Sequence, residues 1–138
     1  MSETKINAAL VSAYLASGVM PQDRTAFEGV KFDPVTGQSW ARLTGLPSGR
    51  APAAMGSYAP QEWTGILQID LFYPKGGGTG PILVDADKAL AFFKSGKRLG
   101  YQGQGVLIRR AERSQIRQED VWQSVRVSIY CTAWVFRA

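Results

Sequence analysis

The sequence contains no histidine and a single cysteine. Without histidine the chain lacks the commonest general base, the commonest metal ligand and the usual pH switch. A Ser–His or Cys–His nucleophile pair cannot be built, nor can a zinc site of mixed Cys and His ligands. One cysteine excludes an intrachain disulfide. Cys131 sits in a β-forming run, Ser128 to Trp134, where a buried structural thiol is expected. Long apolar runs are missing too: none approaches the roughly 20 residues that span a bilayer. The first residues carry no basic stretch ahead of an apolar core, so no signal peptide is expected and synthesis in a cytoplasm is.

What is present fits a globular chain. The 138 residues are 45% hydrophobic and 20% charged, which suits one domain over residues 1–138 with its own core. Ile6, Ala9, Leu10, Ala13 and Tyr14 recur at three- and four-residue steps, predicting a helix from Ser2 to Ser17 stopped at Gly18. Phe27 to Gly37 is punctuated by Gly29, Pro34 and Gly37 and reads as a loop with a short extended piece, Glu28 to Phe32. A strand from Ser39 to Leu46 follows. Pro47 to Pro60, rich in Gly, Pro, Ala and Ser, exceeds ordinary connection lengths and is expected to project.

Glu62 to Tyr73 is the clearest strand of the first half. Trp63, Leu67, Ile69, Leu71 and Tyr73 alternate with Glu62, Thr64, Gln68 and Asp70, the pattern of a sheet with one face on a core. After a glycine-rich loop, Thr79 and Pro81 suit the start of a second helix running to Ser95. Its expected stripe is Leu83, Ala86, Leu90 and Phe93. Short strands at Arg98–Tyr101 and Val106–Arg113 precede one long strand, Val121–Phe136. Sixteen residues would span roughly 50 Å, which calls for a bulge or for part of the strand to serve a partner. The element order predicts an α+β fold in two layers, a mixed or antiparallel sheet packed against two helices.

Gly76-Gly77-Gly78-Thr79-Gly80 before a helix resembles a phosphate loop but lacks the Gly-Lys-Ser/Thr ending, so it reads as a surface hinge. Asp85 with Asp87, and Glu119 with Asp120, do not converge as a metal or acid–base pair would. No catalytic residue, metal or cofactor is expected. The basic run is more informative. Lys94, Lys97, Arg98, Arg109, Arg110, Arg113 and Arg117 face only Glu112 in the same stretch, in a chain of net charge +5. With Tyr101, Trp122, Tyr130 and Trp134 nearby, the region suits a subunit interface, which favours Arg, Tyr and Trp. Stacking on single-stranded nucleic acid is the alternative. By alternation, Trp122 and Trp134 point outward as anchors.

In order along the chain lie the opening helix, Phe27-Glu28-Gly29-Val30-Lys31-Phe32-Asp33-Pro34, Trp40-Ala41-Arg42-Leu43, and Thr64-Gly65-Ile66-Leu67-Gln68-Ile69-Asp70-Leu71-Phe72-Tyr73-Pro74-Lys75-Gly76. The acid-containing helix Ala86–Phe93 follows, then an Arg-containing strand and a Trp-led strand, Val121-Trp122 to Tyr130. This series, about residues 3–134, resembles the tail terminator (tail completion) proteins of long-tailed bacteriophages. The resemblance implies a sheet packed on helices and no catalytic residues. It also implies a homo-oligomeric ring, usually of six subunits, seated on the last ring of the tail tube protein. Such a ring stops tube polymerisation and presents the surface that meets the head–tail connector protein. The chain would then be made in the host bacterial cytoplasm and reside in the virion tail or neck, away from any membrane, with DNA passing through the lumen.

A closed ring needs a heterologous interface, and an exposed strand edge can supply one. The expected edge is the late β region, with Arg109, Arg110, Trp122 and Arg126 against a neighbour. Arg50, Met55 and Tyr58 of the first long loop, and Lys75, Gly77 and Gly78 of the second, are the candidates for tube, connector or lumen contacts. Alternatives are another neck or head-completion protein of the virion, or a nucleic-acid-binding module using Lys94–Arg117.

Overall fold

The computed structural model describes residues 2–52, 61–119 and 121–135. Helix α1 spans Ser2–Ser17, and the expected stripe Ile6, Ala9, Leu10, Ala13 and Tyr14 is buried. Gly18 ends it at φ +69°, where a side chain would be strained. A 3₁₀ turn, Gln22–Arg24, leads into a two-residue strand β1, Thr25–Ala26. The extended piece expected at Glu28–Phe32 is irregular chain instead; the short strand lies just ahead of it, where Tyr14 and Thr25 share a 2.7 Å hydroxyl hydrogen bond that ties α1 to β1.

Strands β2 (Trp40–Pro52) and β3 (Gln61–Pro74) form one long antiparallel hairpin. The first part of the projecting loop expected over Pro47 to Pro60 is strand instead: pairing with β3 carries the chain through Gly49, Arg50 and Ala51 to Pro52, with a bulge between Pro47 and Gly49, and the rest of that stretch lies outside the described residues. Helix α2 covers Gly80–Phe92, ending before the expected Ser95. Thr79 is its N-cap position without a side-chain capping bond. The buried stripe is Ile82, Ala86, Ala89 and Phe93. Leu83 and Leu90 are only half-buried, because the small Ala89 is what lets the helix approach the sheet.

Strands β4 (Arg98–Tyr101), β5 (Gln104–Arg113), β6 (Arg117–Gln118) and β7 (Trp122–Val135) complete the sheet. Gln102 (φ 49°) and Gly103 (φ 85°) make the two-residue turn between β4 and β5, the geometry that matches strand twist. The order is β1-β2-β3-β7-β5-β4, and β6 also pairs with β7. All pairs are antiparallel except β1 with β2. β7 is thus interior: β3 flanks one side, β5 and β6 the other. Within the late β region expected to supply an edge, β7 is therefore excluded, and the terminal strand is β4, paired with the Arg109- and Arg110-bearing β5. Of the two accounts of β7's length, a bulge or a segment serving a partner, the bulge falls in its neighbour, at Ile108/Arg110 of β5, while β7 meets β3 at every position from Trp122 to Val135.

The fold is α+β, and its mixed sheet curls into a half-barrel. α1 packs on β4 and β5, and α2 on β7, β3 and β5. Leu67, Ile69, Leu71, Val125, Val127 and Ile129 meet them at the centre of the core, each at most 2% exposed. Burying one such side chain stabilises by about 1.5–3 kcal/mol. No helix among the described residues is long and apolar enough to cross a membrane.

Candidate subunit interface on the outer face of the sheet

Strand alternation that sends Leu67, Ile69 and Leu71 inward sends Gln68, Asp70 and Phe72 outward. The cross-strand register puts Arg42 opposite Asp70 and Asp70 opposite Arg126. The Arg42 Nε and Nη2 both donate to Asp70 Oδ2 at 3.3 Å, and Arg126 Nε donates to Oδ1 at 2.9 Å. Asp70 is buried between them. One carboxylate shared by two half-exposed guanidiniums ties β2, β3 and β7 together across the outer face.

Beside this network lies an aromatic group. Trp40 stacks on Phe72 with centroids 4.2 Å apart and on Phe32 at 5.3 Å, and meets Trp122 edge-on at 6.2 Å. Arg42 lies over the Phe72 ring at 5.2 Å. The Trp40 indole N–H is buried with no acceptor among the described residues. Further along, Arg110 lies over Tyr130 at 4.0 Å. Tyr130 donates its hydroxyl to Glu112 at 2.9 Å, which raises the phenol pKa above its ordinary value. Arg109 is the extra residue of the β5 bulge, and its Nε donates to Thr132 Oγ1 at 3.1 Å. All four residues named as interface candidates, Arg109, Arg110, Trp122 and Arg126, reach this one face. Arg42 and Asp70 were missed as members. The signal was there: an acid set between Ile69 and Leu71 in a strand that is apolar from Ile69 to Tyr73 but for that acid requires a partner once buried.

The loop candidates separate into two groups. Arg50 pairs with Trp63 near one end of the β2–β3 hairpin; Met55 and Tyr58 lie outside the described residues. Lys75, Gly77 and Gly78 lie past the other end of β3. Lys75 is exposed, and its N–H donates to the Val121 carbonyl at 3.3 Å. Gln123 Nε2 donates to the Gly78 carbonyl at 2.6 Å, and Gly76 and Gly78 hold positive φ of 97° and 77°. This loop is therefore fastened to the start of β7. Asp85 of the acidic pair accepts a hydrogen bond from Tyr73; Asp120 lies outside the described residues. Desolvation raises the Asp85 pKa, with Lys88 and Arg24 pulling the other way.

Burial pushes the Cys131 thiol up to about 12, so it is a poor nucleophile at neutral pH. No group of three or more Cys, Asp or Glu among the described residues could hold a metal. The developed feature is a sheet face that joins half-exposed arginines to half-buried aromatic rings, residue types that protein interfaces favour.

The chain belongs to the phage tail terminator protein family, whose family model matches residues 5–130. It is therefore a structural component of a phage virion tail. Two solved chains share the fold. One superposes with a TM-score of 0.77 at 19% identity, with 100% of this chain covering 99% of that one. The other belongs to the virion of a native gene transfer agent particle, with a TM-score of 0.60 at 17% identity over 99% of this chain and 98% of that one. No curated protein matches.

Proposed function

We propose that the chain, acting as one domain over residues 1–138, forms a closed ring of six copies that caps the tail tube. The ring stops tube polymerisation and offers its opposite side to the head–tail connector, while DNA passes through the lumen. It acts without catalysis and resides in the tail or neck of the virion. What supports this reading is that Arg50 pairs near one end of β3, while Lys75, Gly77 and Gly78 follow its other end. The fourteen residues of β3 span roughly 45 Å. One end can contact the tube while the other contacts the connector, and the outer face, with Arg109, Arg110, Trp122 and Arg126, is left for the neighbouring copy.

Light scattering with electron microscopy tests this. Expected are rings near six protomer masses and tubes that stop growing when the protein is added. A protein that remains monomeric at high concentration and leaves tube growth unchanged defeats the reading.

A further inference from the structure

The outer face contains a small concavity of about 90 Å³ lined by Arg42, Asp70, Arg117, Glu119, Ser124 and Arg126. Among the described lining residues three guanidiniums face two carboxylates, one positive charge in excess. Arg42 and Arg126 spend only part of their donor sets on Asp70. Arg117 is exposed, lies opposite Ser124, and makes no ion pair with any described residue. One further carboxylate would balance the charge and take up the spare donors, and guanidinium geometry suits that pairing.

The same chain offers a carboxylate on its other side. On α2, Val84, Asp87, Lys88 and Ala91 form the outward stripe. Val84 is 65% exposed, large for an apolar residue at mid-helix, and Asp87 pairs with no described residue. The two are three positions apart and therefore neighbours on one helix face. The outer sheet face presents the matching pair: half-buried Trp40, stacked on the buried Phe72, beside Arg42 and its concavity. An apolar side chain and an acid one turn apart meet an aromatic patch and an arginine site side by side.

We propose that the Arg42–Arg117–Arg126 concavity receives Asp87 from α2 of a second copy, with Val84 seated against the neighbouring Trp40. The inference rests on the ring reading and names the joint. Two outer faces set against each other would oppose arginine to arginine. Sheet face against helix face is heterologous, and only such a contact can be repeated around a ring. A nucleic acid backbone fits the concavity less well, since Asp70 and Glu119 line it.

The test is charge exchange, read by light scattering and by circular dichroism to confirm folding. Arg117→Glu and Asp87→Arg each change an exposed residue, and each should raise the concentration for half-assembly at least about tenfold. The double variant should recover most of that loss. Wild-type assembly with both single variants unaffected overturns this joint and leaves the ring standing. Single effects that simply add in the double variant overturn the pairing of these two residues. Loss of duplex-oligonucleotide binding in Arg117→Glu with assembly unchanged overturns it in favour of a nucleic acid site. A wild-type chain that never assembles overturns the ring itself.

Discussion

The two faces of strands β2, β3 and β7 are built from the same stretches of chain and do opposite work. Inward, Leu43, Ile69, Leu71, Val127 and Ile129 are at most 4% exposed and meet the helices. Outward, Arg42, Asp70 and Arg126 trade hydrogen bonds beside stacked aromatic rings, with both arginine side chains about half exposed. Folding needs only the first set. The second is arranged with comparable care but contributes less to the monomer, because ion pairs with half-exposed partners stabilise weakly. A surface organised beyond what folding requires is best understood as organised for a partner.

The largest separation of the two faces should come from alkaline pH. Tyr14 and Cys131 belong to the inner layer, and burial raises both to about 12, from ordinary values of 10.0 and 9.0. The folded state holds these protons more tightly than the unfolded chain does. Stability is therefore full below pH 9 and falls as pH rises from about 9 to 12, at about 1.4 kcal/mol per pK unit for each group. Chemical denaturation across that window measures it, and Cys131→Ala should delay the onset to about pH 10. Next, Ile129→Ala opens the centre of the core and should cost about 2–5 kcal/mol in a urea titration. Asp70→Ala strikes the outer face where it is most buried. It leaves two guanidiniums unpaired, but both can turn to solvent (side chains 50% and 42% exposed), so a loss of about 1–3 kcal/mol is expected. Smallest is Arg110→Ala: its side chain is 62% exposed, and monomer stability should change by at most about 0.5 kcal/mol. If Arg110→Ala unfolds the chain as Ile129→Ala does, the division between the faces is broken.

Much of this division was legible in residue order. The helical steps of Ile6 to Tyr14 gave α1 to the residue, and period-two alternation in β3 separated the faces before any contact was known. The same alternation gathered Trp122 and Arg126 on one side. Other features were hidden for physical reasons. The second half of β2 contains Gly45, Pro47, Gly49 and Pro52, poor strand formers that pair only because β3 lies alongside. The interior position of β7 depends on which strands flank it, a long-range choice that local pattern does not encode. The Arg42–Asp70–Arg126 link joins residues 28 and 56 positions apart, so the acid was visible and its partners were not. In α2 the expected Ala86 and Phe93 are buried, but Ile82 and Ala89 take the places of Leu83 and Leu90, since alanine at Ala89 looks neutral until a sheet is packed against it.

The unbroken pairing of β3 with β7, fourteen matched positions with no slip, makes a spar that crosses the whole subunit. Hydrogen-bonded in tandem and clamped on its inner side by two helices, such a spar resists bending. Load arriving at one tip is carried to the other as thrust instead of being absorbed by a hinge. A ring of such spars would behave as a stiff collar between two machines.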